Sequence, residues 1–487
     1  MKATSAGAMM FTLLATGCVA EPTDELGVGE QALAGTSSEA PYLVPLRAGV
    51  SFEALISVGD ESKHGYRMVG IPDGLGAYAQ GGKLHVLMNH ELNPTQGIAR
   101  AHGARGAFIS HWKIDKDFEV EKGEDLIKQV ALWDVAGGGY AAPTTGVTLA
   151  RFCSGDLPAR SALYDESSDL GYPDRIYMAG EEADDDGRAF AHEVESGISY
   201  ELPRMGRMGF ENLAARPDSG ATTVVVGTDD GDPAGEVVVY VGTKTSSGSP
   251  PERAGLTNGT LYGIRIPGYP REQTAGVQRP PPAAGTPIEL FAFGDVTGLG
   301  ENALQAIETA NGVTSFDRPE DVHWNPANPD QLLFTTTASF TRSTRLWRVT
   351  FDDGRNPALG GTIECLVDGN TTSVAGVTPR MFDNLTVTND GRWVYLQEDP
   401  GNQAHLAKIW RFDLQTRTLQ LIAQHDPARF ILGVSGFLTQ DEESSGILDA
   451  ADILGAGKLI LDVQVHRANP DPELVQYGQL LVMTVAD

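Results

Sequence analysis

The residues best equipped for chemistry are carboxylates and amides, and they are bunched. Asn89-His90-Glu91, Glu181-Glu182, Glu211-Asn212, Asp229-Asp230, Arg318-Pro319-Glu320-Asp321, Asp383-Asn384, Glu398-Asp399 and Asp441-Glu442-Glu443 all flank short apolar runs. Any one of them has an ordinary reading as a turn, because Asp and Asn bond readily to nearby turn backbone. Their recurrence points instead to cation binding: a hard ion such as Ca²⁺ takes roughly six to eight oxygens from carboxylates, amides and carbonyls. Asp383-Asn384-Leu385-Thr386 and Arg318-Pro319-Glu320-Asp321-Val322 stand out, since their acids sit immediately before apolar strand starts. Glu182-Ala183-Asp184-Asp185-Asp186-Gly187 with Glu193 matches the ligand spacing of a helix–loop–helix calcium site. Its flanks, 175–179 and 188–194, read as strands, so a hairpin turn on Asp186-Gly187, which could bind an outer calcium, is the better fit.

Other templates fail. There is no phosphate-cradling Gly-x-x-x-x-Gly-Lys loop, no His-Glu-x-x-His helix and no Gly-x-Ser-x-Gly elbow. His90 and His192 each precede a Glu without a second His at ligand spacing, and Arg279-Pro280-Pro281-Pro282 reads as a surface loop. The formal charge of −29, from 65 acidic against 36 basic residues, argues against nucleic acid as a partner.

The elements that must position these acids are strands. Short runs rich in β-branched and aromatic residues recur between Gly, Pro, Asn and Asp: 83–88, 175–179, 222–227, 236–241, 259–266, 332–336, 345–351, 393–397 and 407–414. Helical periodicity is confined to Asn302–Thr309. Ala407–Leu414 echoes Thr344–Phe351, and Thr260–Ile266 is a third version, as when one blade strand recurs along a propeller. The expected fold is therefore all-β, a six-bladed β-propeller with inserted loops and short helices, in one domain over 41–487. In such a fold strand-end acids from different blades converge on the central channel.

The N-terminus reads as an export signal over residues 1–20. Lys2 precedes an apolar run, Ala8–Ala15, too short to span a bilayer, and then Ala15-Thr16-Gly17-Cys18. Small residues before a cysteine suit a bacterial lipoprotein signal, with Cys18 lipidated; the alternative is cleavage after Ala20. Residues 21–40 read as a flexible tether. The expected product is an exported monomer, membrane-anchored or periplasmic/secreted, touching the membrane only through the lipid. Cys153 and Cys365 could pair in an oxidising compartment or remain free thiols.

The ordered series Asn89-His90-Glu91, Glu181-Glu182, Gly209-Phe210-Glu211-Asn212, Asp229-Asp230, Arg318-Pro319-Glu320-Asp321 and Phe382-Asp383-Asn384-Leu385 resembles the PhoX-type bacterial alkaline phosphatases and their relatives, over about residues 40 to 485. The resemblance implies a six-bladed propeller whose channel holds calcium beside iron and hydrolyses a small-molecule phosphoester. It implies Glu91, Glu181, Glu211, Glu320 and Asp383 as leading metal ligands, and Asn89, Glu182, Asp229 and Asp230 as second choices. Arg318 could bind phosphate. One departure stands against iron: Gly180 occupies the position before the paired glutamates where the phosphatases proper carry an iron-ligating cysteine, and sulfur is not replaced by glycine. That departure leaves a non-catalytic, calcium-stabilised surface propeller as the main alternative. A propeller hydrolase for a lactone or phytate is a third reading.

Overall fold

The computed structural model describes Met1 and residues 37–486, apart from 184, 186 and 232–234. Cys18, the signal and residues 21–36 of the expected tether lie outside the described residues. Residues 37–40 belong to the folded body: Ser38 N–H donates to Asp60 at 2.9 Å, and Gln479 donates to the carbonyl of Ala40 at 3.2 Å.

The chain folds into successive antiparallel sheets. The first contains Pro72–Gln80, Lys83–His90, Phe108–Ile114 and Val120–Asp125. The second contains Phe152–Asp156, Ile176–Glu181, Ala189–Glu193 and Ile198–Glu201, with Gln129–Ala131 added in parallel at its edge. A nine-stranded sheet follows. Phe210–Ala215, Thr222–Asp229, Val237–Thr243 and Thr260–Arg265 form one half, and Pro319–Trp324, Gln331–Thr336, Arg345–Phe351 and Gly361–Asp368 the other, bridged by Thr286–Gly294. Phe382–Val387, Trp393–Glu398, Lys408–Asp413 and Thr418–His425 come next, with Leu43–Pro45 at the edge. The last sheet joins Glu442–Asp449, Lys458–Val465 and Tyr477–Val485 to the early strand Val50–Ser57, so both ends of the chain build it.

The first strand of each unit packs against the next, from Pro72–Gln80 through Phe152–Asp156, Phe210–Ala215, Pro319–Trp324 and Phe382–Val387 to Glu442–Asp449, which returns to Pro72–Gln80. The ring is closed, as expected of a propeller. Separate apolar clusters fill the spaces between neighbouring sheets: Leu87, Ile109, Phe152 and Phe190 lie between the first two, and Val224, Val239, Trp324 and Trp347 between the halves of the nine-stranded sheet. Because both faces of a sheet are covered, strands such as Val237–Thr243 read as continuous apolar runs rather than clean alternation.

All nine expected runs are strands, and the expected helix is present as Glu301–Asn311. The three-way echo holds for two members only. Arg345–Phe351 and Lys408–Asp413 are each the third strand from the axis, whereas Thr260–Arg265 is the fourth in its half-sheet. Alternating apolar residues mark any half-buried strand, whatever its place in the sheet.

Glycines let the first strands approach at the axis. A Cβ on Gly74 would lie 2.3 Å from the Gly155 nitrogen and 2.5 Å from the Ser154 carbonyl carbon, both backbone atoms that cannot yield. Gly74→Ala is expected to lower stability by about 3 kcal/mol, read as a fall in the unfolding midpoint. The variant Gly139→Ser, where a Cβ meets open space and φ is not positive, is the control and is expected to cost far less.

Candidate metal centre

Each first strand opens with a β-bulge-like register shift, and in every case two residues face one on the neighbouring strand. The pairs are Asp73-Gly74, Cys153-Ser154, Glu211-Asn212, Glu320-Asp321, Asp383-Asn384 and Ser445-Gly446. Such an insertion re-aims side chains that regular pleating would send elsewhere. The second strand of each sheet adds one more residue just past its end. The amides of Glu91, Glu182, Asp230, Thr337 and Asp399 bond to the carbonyls of Ile71, Arg151, Gly209, Arg318 and Met381, the residues two positions before each shifted pair, and the His466 amide bonds to the carbonyl of Asp441, four positions before its pair. Four of those carbonyl residues, Ile71, Arg151, Arg318 and Met381, have positive φ of 53°, 30°, 60° and 43°. This sparsely populated conformation is strained for a β-branched or long side chain, and such strain concentrates at functional sites.

Among the described residues, ligand-type atoms come together in three overlapping groups, each within 4.8 Å: Asp73, Glu91 and Cys153; Cys153, Glu182 and Glu211; Glu211, Glu320 and Asp383. Shared members make one continuous chain of carboxylates with a single thiol in it. Two guanidiniums bridge it. Arg151 donates to Glu91 at 2.6 Å and to Glu182 at 2.8 Å. Arg318 donates to Asp230 at 2.7 Å and lies 3.1 Å from Glu320, outside hydrogen-bond geometry. Their side chains keep 38% and 25% exposure, so this face of the cluster meets solvent.

The other side is closed. Asn384 donates to Ser154 Oγ at 2.8 Å, and Ser154 Oγ donates to Glu211 at 2.6 Å. The strands carrying Ser154 and Asn384 stand on opposite sides of the ring, so that bond crosses the axis. Asp321 accepts from Asn212, from the Val322 amide at 2.7 Å and from the Leu385 amide at 2.8 Å, tying three first strands together.

Burial and like charge push the carboxyls of Glu211, Glu320, Asp383 and Asp73 well above the usual range. Glu182 is pushed up to about 8 by burial, against the pull of Arg151. Glu91 is the exception: burial pushes it up, but Arg151 outweighs burial and holds it below the ordinary value. The Cys153 thiol, raised by burial and by Glu182 and Glu91, donates to Glu182 at 2.8 Å. Asp73 Oδ1, Asn89 Oδ1 and Glu320 Oε1 are buried without a hydrogen-bond partner. The unpaired atoms are acceptors, which is the chemistry of a cation site.

The sequence expectations divide here. Glu91, Glu211, Glu320, Asp383 and Glu182 are in the chain of ligand atoms, and Asp230 and Arg318 sit against it. Glu181 is not: it pairs with Arg188 at 2.6 Å and accepts from the Ala150 amide at 3.0 Å. Asp229 turns toward Glu236 and Glu308 instead. Adjacent strand residues point to opposite sides, so Glu181 and Glu182 cannot both face the axis, nor can Asp229 and Asp230. Asn89 braces the neighbouring strand, donating to the Cys153 carbonyl at 2.7 Å.

Cys153 and Cys365 are both free, one on the axis and one in the Gly361–Asp368 strand of the nine-stranded sheet, so no disulfide joins them. Gly180 itself offers no ligand, but a thiol is present in the cluster. Gly180 packs on the next sheet, where a Cβ would come 2.3 Å from Phe210 Cβ, and the sulfur arrives from Cys153 on the adjoining strand. Glu193 accepts from Tyr172 at 2.6 Å, apart from Glu182, while Asp185 caps the Glu301–Asn311 helix through the Asn302 amide at 2.8 Å. The calcium-loop spacing is thus split between two tasks; residues 184 and 186 lie outside the described set.

Asp73 and Arg151 were not among the expected site residues. A signal for the first existed: Pro72-Asp73-Gly74-Leu75 repeats the pattern of Phe210-Glu211-Asn212-Leu213, Pro319-Glu320-Asp321-Val322 and Phe382-Asp383-Asn384-Leu385.

With the unfolded value near 4.5 and the folded value about 8, Glu182 holds its proton in the folded state over a pH range where the unfolded chain has released it. Stability conferred by that protonation is present below about pH 4.5 and lost as pH rises through about 8. In chelator the unfolding midpoint is therefore expected to fall between pH 5 and 8, and saturating calcium is expected to flatten or reverse that slope. A calcium-insensitive pH profile would contradict cation binding by these acids.

No family model and no curated protein sequence matches this chain. Among solved structures, Pseudomonas fluorescens PhoX in complex with vanadate, a transition state analogue, aligns with a TM-score of 0.58 at 14% identity, covering 93% of this chain and 98% of that one. The periplasmic gluconolactonase PpgL of Pseudomonas aeruginosa aligns at 0.40 and 11% identity, over 93% and 99% of the two chains. TolB from Acinetobacter baumannii aligns at 0.32 and 9%, over 77% and 59%. The chain is a strand-rich all-β protein that shares its propeller-like fold with PhoX.

Proposed function

We propose that this chain is an exported, six-bladed propeller and a metal-dependent phosphoester hydrolase. The observation that carries the reading is the continuous chain of buried carboxylates and one thiol, blind on one side and bordered by two guanidiniums on the other. The ring of six first strands, each carrying the same two-residue shift, supports the blade count. The comparison structure binds vanadate as a transition state analogue, and the ordered motifs resemble the PhoX-type phosphatases.

The residues fit the metals that the resemblance implies. Glu211, Glu320 and Asp383 offer oxygen ligands alone, suited to calcium; Cys153 with Glu182 offers a mixed sulfur–oxygen set suited to iron. Bound cations would supply electrophilic stabilisation of phosphoryl oxygens and a lowered pKa for coordinated water. The chain's own groups do the rest. Burial works against the charge on Arg318, but Glu320 and Asp230 outweigh it and keep the guanidinium cationic. It can then turn from Asp230 to a phosphoryl oxygen, and Arg151 can do the same from Glu91. The Ser154–Asn384 floor keeps the substrate on one face. The glycine that had favoured a non-catalytic propeller packs on Phe210 and bears on neither reading. The substrate is a small phosphoester, the working unit a monomer, and the acidic surface has no use for nucleic acid.

Purified protein loaded with calcium and iron is expected to hydrolyse p-nitrophenyl phosphate, to lose that activity in a strong chelator and to regain it on reloading. Arg318→Ala is expected to lower kcat/KM by about 10²-fold without unfolding the protein. Absence of hydrolysis of any monoester or diester by loaded protein would sink the proposal. Export is tested separately: Cys18→Ser is expected to move the protein from the membrane fraction to the soluble fraction, and an unchanged distribution would exclude the lipid anchor.

A further inference from the structure

We propose that Asp462, with Asp73 and Gln464, holds an additional hard divalent cation of the calcium class, and that this ion fastens the last sheet to the first. The site lies at the seam where the ring closes, in the one sheet built from both ends of the chain.

Asp462 is the residue that faces the two-residue shift Ser445-Gly446 on its partner strand. At the matching place in two of the other sheets the side chain is a donor that reaches a carbonyl of the next first strand. Asn89 donates to the Cys153 carbonyl at 2.7 Å, and Thr335 donates to the Asp383 carbonyl at 2.7 Å. At the seam the donor is replaced by a carboxylate with 0% exposure, and neither of its oxygens has a hydrogen-bond partner. The Gly446 amide lies beside it, outside hydrogen-bond geometry, and the charged neighbour is another anion, Glu443. A wholly buried carboxylate without a counter-charge is among the costliest groups a fold can carry.

The surroundings offer oxygens. Asp462 and Gln464 are alternate residues of the Lys458–Val465 strand and project to the same side. Gln464 Nε2 donates to Asp73 Oδ2 and to Glu91 Oε2, both at 3.1 Å, which fixes the amide with its carbonyl oxygen turned away from those acids. That Gln464 Oε1 is buried and unpartnered, and so is Asp73 Oδ1. The Asp73 strand is in contact, since a Cβ on Gly446 would lie 2.8 Å from the Asp73 carbonyl oxygen. Both Asp462 oxygens, Gln464 Oε1 and Asp73 Oδ1 are therefore orphaned acceptors at one seam. A proton on Asp462 would satisfy one acceptor and leave the others; an oxygen-coordinating cation satisfies them together. With no sulfur or imidazole among these atoms, the preference is for a hard ion.

The inference does not rest on the phosphoester reading, and the test keeps the two apart. Calcium per chain is measured by elemental analysis of the full mature protein after equilibration and desalting, with melting curves in calcium and in chelator. For the isosteric Asp462→Asn, one calcium fewer per chain is expected. The calcium-dependent rise in Tm should be smaller than wild type's by about 2 °C or more, and Tm in chelator should equal or exceed wild type's. Glu182→Gln, which alters the upper cluster, should keep the Asp462-dependent part of the rise even if hydrolysis is lost. The proposal is overturned if Asp462→Asn binds as much calcium and gains as much Tm as wild type, the result expected of a protonated or water-bridged Asp462. It is equally overturned if that variant loses all bound calcium, which would mean a single inseparable cluster. Should the variant not fold, wild-type crystals soaked in terbium decide it: an anomalous peak between Asp462 and Gln464 is expected, and no peak there overturns the assignment.

Discussion

The dominant constraint is the burial of many like charges on one axis. Asp73, Glu91, Glu182, Glu211, Glu320 and Asp383 face a common pit, and only Glu91, Glu182 and Glu320 lie against an arginine. Two arginines pair part of the chain, and for Glu211 and Asp383 burial and neighbouring anions keep the carboxyl raised well above its ordinary range. Such an arrangement is unfavourable on its own, because desolvation and repulsion act in the same direction. It persists because the fold holds it and because cations can reverse its sign.

What holds it is distributed around the ring. The apolar clusters between neighbouring sheets are tightly buried, with Trp112, Trp347 and Trp410 among the largest enclosed side chains. Their stabilisation is not spent on any one blade. It is set against a single strained centre, where several carbonyl-bearing residues adopt positive φ. The repeated register shift converts this scaffold into a site: it turns one side chain per first strand toward the axis and places a second beneath it, where Ser154, Asn212, Asp321 and Asn384 interlock the strands. The upper residues are left to face outward toward solvent, while the lower ones consume their hydrogen-bonding capacity on each other. Orphaned acceptors therefore mark the places where the protein's own donors run out, and they occur in the pit and at the closing seam.

Residue type and order alone determined that the chain is acidic, strand-rich and repetitive, with acids recurring at strand boundaries, because strand propensity and turn chemistry are local properties. The Phe382-Asp383-Asn384-Leu385 and Pro319-Glu320-Asp321-Val322 motifs were legible for the same reason. Which acid of a pair faces the axis was not, since Glu181 and Glu182 differ only in the side of the strand they occupy, and the register that decides this is set by a partner strand. That Cys153 stands beside the acids was not legible either: Gly180 and Cys153 are distant in sequence and lie on paired strands, and only the packing of Phe210 against Gly180 shows that no side chain fits there. Closure of the channel by Ser154 and Asn384, and the joining of the chain's two ends beside Asp462, are contacts between residues hundreds of positions apart. Local sequence carries no record of them; tertiary packing decided them.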